Sequence, residues 1–257
     1  MRRKCLAASL LILLFSADLV GQAQSAIPAG TEASSKTPSV HTVYYLDSLP
    51  LHLDLILPLP SARDSVATAA ELAELHRIET TRTPAQIAQA QVDDREEDIF
   101  IFKSVMGLGF TAEALPITAA LSAHIRKDEG ATGSPLKNIY RRSRPYQADS
   151  TLHPVCPLST EPTSYPSGHS LSGYLLALTL IQIAPEKRQQ IFDRADEYAH
   201  NRLVCGVHYA SDIEASRKLA YAIFGSLAIS SRFQQDLAAA REETRRKLGL
   251  PSAIATQ

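Results

Sequence analysis

Apolar residues fill every face of the segment 167–183, the pattern of a helix buried on all sides. Helix-forming residues dominate the chain from 64 onward. Residues 65–81 are rich in Ala, Glu and Leu, and Thr83-Pro84 reads as a cap with proline at the first helical position, opening a helix to about 91. Residues 98–126 form a long apolar helical stretch with a break near Leu115-Pro116. Residues 135–146 are basic, and 147–165 form a loop carrying Pro154, Pro157 and Pro162. Pro185 ends the central helix, further helices are predicted at about 186–203 and 211–231, and the charged, amphipathic 233–248 is a surface helix. Residues 44–60 read as extended, because Pro58 and Pro60 forbid a helix there. No repeat and no alternation of strands with helices is found. The fold class is all-α: a single-domain helical bundle, residues 43–248, around a central buried helix, with a loose tail at 249–257.

The N-terminal apolar run has a different character. Arg2, Arg3 and Lys4 precede an apolar stretch at 6–20, broken only by Ser and Asp18, and Ala23-Gln24-Ser25-Ala26 offers a small-residue cleavage site. Residues 1–26 therefore read as a secretory signal, 27–42 as a flexible arm, and the mature protein as periplasmic or secreted. No later segment is predicted to span a membrane: 171–184 is too short, and 99–126 contains Lys103 and Glu113. The 257 residues carry 26 Lys and Arg against 27 Asp and Glu, a net charge of −1, and loss of the signal makes the chain slightly more acidic. With no basic excess and no Trp, nucleic acid polymers are excluded as partners. Cys5 precedes the apolar run and is not a lipid-attachment site. Cys156 and Cys205 remain after processing; an oxidising compartment lets them pair, and the alternative is two buried thiols.

Three clusters carry the chemistry: Lys137, six residues, Arg144-Pro145; Pro166-Ser167-Gly168-His169; and Arg202, five residues, His208, three residues, Asp212. Singly each has an ordinary reading. The basic run with Arg141 and Arg142 resembles a solvated face, Pro-Ser-Gly commonly starts a helix, and a lone His208 is more often core than catalyst. Together they suit a phosphate dianion. Arg144 and Arg202 offer planar forks, Lys137 a point charge, and Ser167 and Gly168 the open start of the buried helix, where free N–H groups and the dipole favour an anion. His208 and Asp212 are four apart, one helical turn, so the carboxylate can hold one ring nitrogen and present the other as nucleophile. His169 is left to protonate a leaving oxygen.

In order and spacing these ten residues resemble the three-part signature of the type 2 phosphatidic acid phosphatase superfamily, whose fold is haloperoxidase-like. Ser164-Tyr165, Leu203-Val204-Cys205-Gly206, Tyr45-Leu46 and the Leu/Pro-rich segment to Pro60 are similar to the class A bacterial non-specific acid phosphatases. The resemblance implies that His208 attacks phosphorus to form a phosphohistidine and that Asp212 orients it. It implies that His169 protonates the leaving alcohol and then activates water, while Lys137, Arg144, Ser167, Gly168 and Arg202 bind the phosphoryl oxygens. It implies phosphomonoester substrates in broad range, phosphotransfer as a side activity, and no metal or other cofactor; a homodimer or higher homo-oligomer is expected. One position departs from the signature: Asn201 stands where the family has Ser, at a place not thought to touch phosphate. His41, His52, His76, His124, His153 and His200 have no motif partner and read as structural or surface residues. A vanadium-dependent haloperoxidase, a soluble lipid phosphatase and an inactive binding protein are the competing readings.

Overall fold

The computed structural model describes residues 43–46 and 51–251; the expected signal at 1–26, the arm at 27–42, residues 47–50 and the end of the tail at 252–257 lie outside the described residues. Among the described residues every regular element is a helix. Helix α1 (Val66–Thr81) starts at Ser65, whose hydroxyl accepts the Thr68 N–H. Helix α2 (Pro84–Arg95) opens on the expected Thr83-Pro84, with Thr83 and Gln86 capping one another.

The stretch 98–126 divides differently from the expectation. A 3₁₀ turn at Ile99–Phe102 leads into the single-turn α3 (Lys103–Met106), irregular chain follows, and helix resumes at Pro116. This α4 (Pro116–Tyr140) runs on through Pro135, so the apolar and basic stretches share one helix. An interior proline costs a helix about 3 kcal/mol. Burial of Leu121, Ile125 and Leu136 on either side offsets it, at roughly 1.5–3 kcal/mol for each fully buried apolar side chain. The helix ends where Arg141 turns left-handed at φ 44°. The short α5 (Pro145–Ala148) follows, then the loop to α6 (Gly168–Ile183), and α7 (Arg188–Val204) after a 3₁₀ turn at Pro185–Lys187. Helices α8 (Ala210–Ile229) and α9 (Ser231–Leu248) complete the order.

Helix α6 is the centre. Every residue from 170 to 181 is buried, and α4, α7, α8 and α9 pack around it. Gly173 sets the approach of α7, because a methyl group there would lie 2.7 Å from the Tyr198 ring. Helix α9 buries Phe233, Leu237 and Ala240, together with Glu243 and Arg245, and leaves Arg232, Glu242, Arg246 and Lys247 exposed. The described part of the tail folds back: the Leu250 N–H donates to the Arg245 carbonyl at 3.0 Å, and the Arg245 guanidinium donates to the Pro251 carbonyl. A second apolar cluster joins α1 and α2 to the end of α7 and contains Cys156 and Cys205. Those two cysteines form a disulfide with Cα atoms 5.2 Å apart. Among the described residues no helix is long and apolar enough to cross a membrane.

Candidate active site

The start of α6 faces the end of α4, the end of α7 and the start of α8, and each contributes one part of the predicted constellation. Ser167 caps α6, its hydroxyl accepting from Ser170 N–H. Its carbonyl is held by Ser216 of α8 at 2.8 Å. The first-turn N–H groups of Gly168 and His169 have no partner inside the helix, as at any helix start. Lys137, one turn before the end of α4, reaches this same point. Its Nζ donates to the Pro166 and Thr163 carbonyls at 2.8 and 2.9 Å. Burial, with Arg144 and Arg202 nearby, lowers Lys137 to about 8.

The left-handed Arg141 reverses the chain so that Arg144 comes back over the third cluster. Its guanidinium lies 3.0 Å from the Val207 carbonyl and 3.2 Å from His208 Nε2. Gly206, at φ 75°, makes the turn between α7 and His208, against Pro154. His208 is buried, with Nδ1 3.2 Å from Asp212 Oδ2. Desolvation and then the charges of Arg144, Lys137 and Arg202 hold its pKa well below the ordinary imidazole value. A neutral ring whose Nδ1–H donates a hydrogen bond to Asp212 carries its lone pair on Nε2, on the cationic side.

Asp212 is fully buried and satisfied from four directions. It accepts from the Tyr209 N–H at 2.9 Å, Ser164 Oγ at 2.6 Å and Arg142 at 2.6 Å, besides the His208 contact. Burial still pushes it up to about 6 against the pull of Arg142. Arg142, which the sequence places in a solvated basic run, is itself buried. It stacks 3.9 Å from the Tyr209 ring and bonds Glu71 at 2.8 Å as well as Asp212. Arg202, in the last turn of α7, donates to Asp94 at 2.5 Å. The Nε groups of Arg144 and Arg202 are buried and have no acceptor among the described residues. Two unsatisfied cationic N–H groups beside a helix start make a site for an oxyanion.

His169, in the first turn of α6, places Nδ1 2.9 Å from Glu97 and Nε2 3.0 Å from the Asp94 carbonyl. Burial opposes ionisation of Glu97, but the bond and charge of His169, with Arg126 and Arg202, hold it down to about 2. Asp94 and Glu97 escaped the sequence reading because the run 93–98 looks like a solvated acidic face. Glu129 of α4 was missed too: a methyl group built on Gly168 would sit 3.7 Å from its carboxylate. Desolvation pushes Glu129 up to about 7 despite the attraction of Arg126.

Asn201 lies behind the site rather than in it. Its side-chain amide donates to Asp93 at 2.7 Å, alongside Arg194 at 2.6 Å, and so ties α7 to the end of α2 next to Asp94. The disulfide anchors the 153–158 loop to the end of α7, where Val155 N–H also donates to the Cys205 carbonyl at 3.0 Å. Of the other histidines, His76 pairs with Asp149 at 2.9 Å, His153 with Glu79 at 2.7 Å, and His124 stacks on Tyr44. His52 and His200 are exposed, and His41 lies outside the described residues. Among the described residues the one grouping of metal-ligand atoms close enough to share an ion is Asp94 with Cys156 and Cys205. That carboxylate is bonded to Arg202 and those sulfurs to each other, so the set does not fit a cation.

A family model described as PAP2 superfamily matches residues 117–236, which holds all three clusters. This segment is a PAP2 superfamily domain. The chain is similar to bacterial acid phosphatases. It is 36% identical over 159 residues to a non-specific acid phosphatase of Salmonella typhi, covering 59% of this chain and 62% of that protein. It thus spans about three fifths of that relative's length. It is 28% identical over 235 residues to a non-specific acid phosphatase of Providencia stuartii, covering 85% and 90%. Among solved structures, a transmembrane PAP2 type phosphatidylglycerolphosphate phosphatase from Bacillus subtilis matches with TM-score 0.47 and 18% identity over 64% of this chain and 86% of that one.

Proposed function

We propose that the protein is an exported acid phosphatase that hydrolyses phosphomonoesters through a phosphohistidine, with phosphotransfer to alcohols as a side activity. The observation that carries this reading is the neutral, buried His208, backed by Asp212 and facing Arg144, at the open start of α6. Phosphoryl oxygens take the free Nε–H groups of Arg144 and Arg202, the Lys137 ammonium and the first N–H groups of α6. His208 Nε2 attacks phosphorus, the ester oxygen leaves with a proton from His169, and water activated by His169 then splits the N–P bond. Relatives named acid phosphatase and the predicted N-terminal signal support the substrate class and the export. No step draws on a metal, so EDTA leaves turnover unchanged. Acid-quenched labelling with a phosphorus-labelled ester tests the nucleophile. Wild type traps a phosphoenzyme, and His208→Ala traps none and loses turnover by at least roughly 10³-fold while keeping its helical circular dichroism. A phosphoenzyme surviving in His208→Ala sinks the assignment.

A further inference from the structure

We propose that Glu97 is the positioning residue of the general acid: it holds His169 Nδ1–H and keeps the ring cationic until the leaving oxygen takes a proton from Nε2. The inference rests on the phosphatase reading above. Both ring nitrogens of His169 face acceptors, Nδ1 the Glu97 carboxylate at 2.9 Å and Nε2 the Asp94 carbonyl at 3.0 Å. A neutral imidazole has one N–H and would set a lone pair against one of those oxygens; an imidazolium satisfies both. His208 is the contrast in the same site, with its Nε2 against the Arg144 guanidinium. Two imidazoles are thus set to opposite protonation states by what their second nitrogen meets.

Glu97 is itself fixed from three helices. Arg126 of α4 bonds its carboxylate, and the same guanidinium bonds Glu129 at 2.8 Å and Ser172 of α6. The Tyr198 hydroxyl of α7 donates to the Glu96 carbonyl at 2.6 Å and pins the backbone. The charged groups facing His169 are Asp94 in α2 and Glu97 just after it, Arg126 and Glu129 on α4 and Arg202 on α7, with the neutral His208 before α8. Asp94 spends its charge on Arg202 and Glu129 shares Arg126, which leaves Glu97 as the anion in direct contact with the ring.

The proton inventory closes. In the first step the His208–phosphorus bond forms and the ester P–O bond breaks. The leaving oxygen keeps the electron pair and takes the Nε2 proton, which gives up its hydrogen bond to the Asp94 carbonyl, and His169 becomes neutral. In the second step Nε2 takes a proton from water as its oxygen bonds phosphorus and the N–P bond breaks, which restores the imidazolium.

The test compares wild type, Glu97→Gln and Arg126→Gln on p-nitrophenyl phosphate and glycerol phosphate from pH 4 to 9, with proton NMR of the histidine ring N–H groups. For Glu97→Gln the kcat on glycerol phosphate falls roughly 10- to 100-fold with KM within about twofold. The p-nitrophenyl ester, which leaves without help, loses less than about threefold. Arg126→Gln, which leaves Glu97 present but unheld, shows the same pattern at smaller amplitude. In the NMR spectrum wild type shows a far-downfield His169 N–H signal that moves upfield in Glu97→Gln. Equal losses on both esters, a ring N–H signal unmoved in Glu97→Gln, or a lower KM with unchanged kcat overturns the proposal; the last would make Glu97 an occupant of the substrate pocket. If wild type hydrolyses neither ester, the phosphatase reading fails, and the ring N–H signal alone decides the Glu97–His169 pairing.

Discussion

Lys137 carries a consequence that only its surroundings reveal. Burial and two neighbouring guanidiniums lower it to about 8, so the free protein loses this cation as pH rises through that value. Expected is a kcat/KM that falls above about pH 8, through weaker phosphoester binding. In Lys137→Arg the charge persists, and that limb flattens even though the altered geometry lowers the overall rate. Steady-state profiles from pH 6 to 10 check it. His208 is displaced the same way for the same reason, yet with the opposite benefit: its nucleophilic lone pair survives into acid solution. At this scale the ten signature residues were legible from spacing. Their partners were not, because Asp94, Glu97 and Arg142 sit in charge runs whose local pattern is that of a solvated surface. Burial comes from contacts across 70 and 108 residues of sequence, which no local pattern records.

Helices obey their local signals at the ends and their packing in the middle. Ser65, Thr83, Ser167 and Ser230 all cap helices as their residue types predict. Pro135 does not break α4, because burial of the flanking turns outweighs one lost hydrogen bond, and that balance is set by α6. The α6–α7 contact is the most sensitive of these packings. Gly173→Ala puts a methyl group against the Tyr198 ring at 2.7 Å and is expected to cost about 1–3 kcal/mol. Tyr198 also anchors the Glu96 carbonyl, so the same change lowers turnover by displacing the neighbouring Glu97. Denaturant melts and kcat on one sample separate the two effects; a variant as stable as wild type contradicts the packing argument.

Across the whole molecule, the buried carboxylates make stability depend on pH. Glu129 is raised to about 7 in the fold, above its unfolded value, so the fold binds its proton more tightly than the unfolded chain does. The stability this group contributes is complete below about pH 4.5 and is lost as pH rises through 7. Asp212 acts in the same direction, His208 in reverse. Glu129→Gln removes the first term. Its melting temperature relative to wild type is therefore higher at pH 8 than at pH 4, and a difference independent of pH between those values would refute the assignment.

The Cys156–Cys205 bond closes a covalent ring, and the ring divides the proposed reaction in two. Inside it lie Ser167, Gly168, His169 and Arg202; outside lie Lys137, Arg144, His208 and Asp212. Acid and nucleophile thus belong to different topological compartments, joined through a junction three residues before His208. Opening the ring gives back chain entropy worth roughly 4 kcal/mol for a separation of 49 residues. The penalty falls on the unfolded chain, so a reduced sample at room temperature still turns over while its melting point drops. A cell that keeps thiols reduced would accumulate the polypeptide in its fragile form, whereas passage through an oxidising compartment completes the fold in the covalent sense.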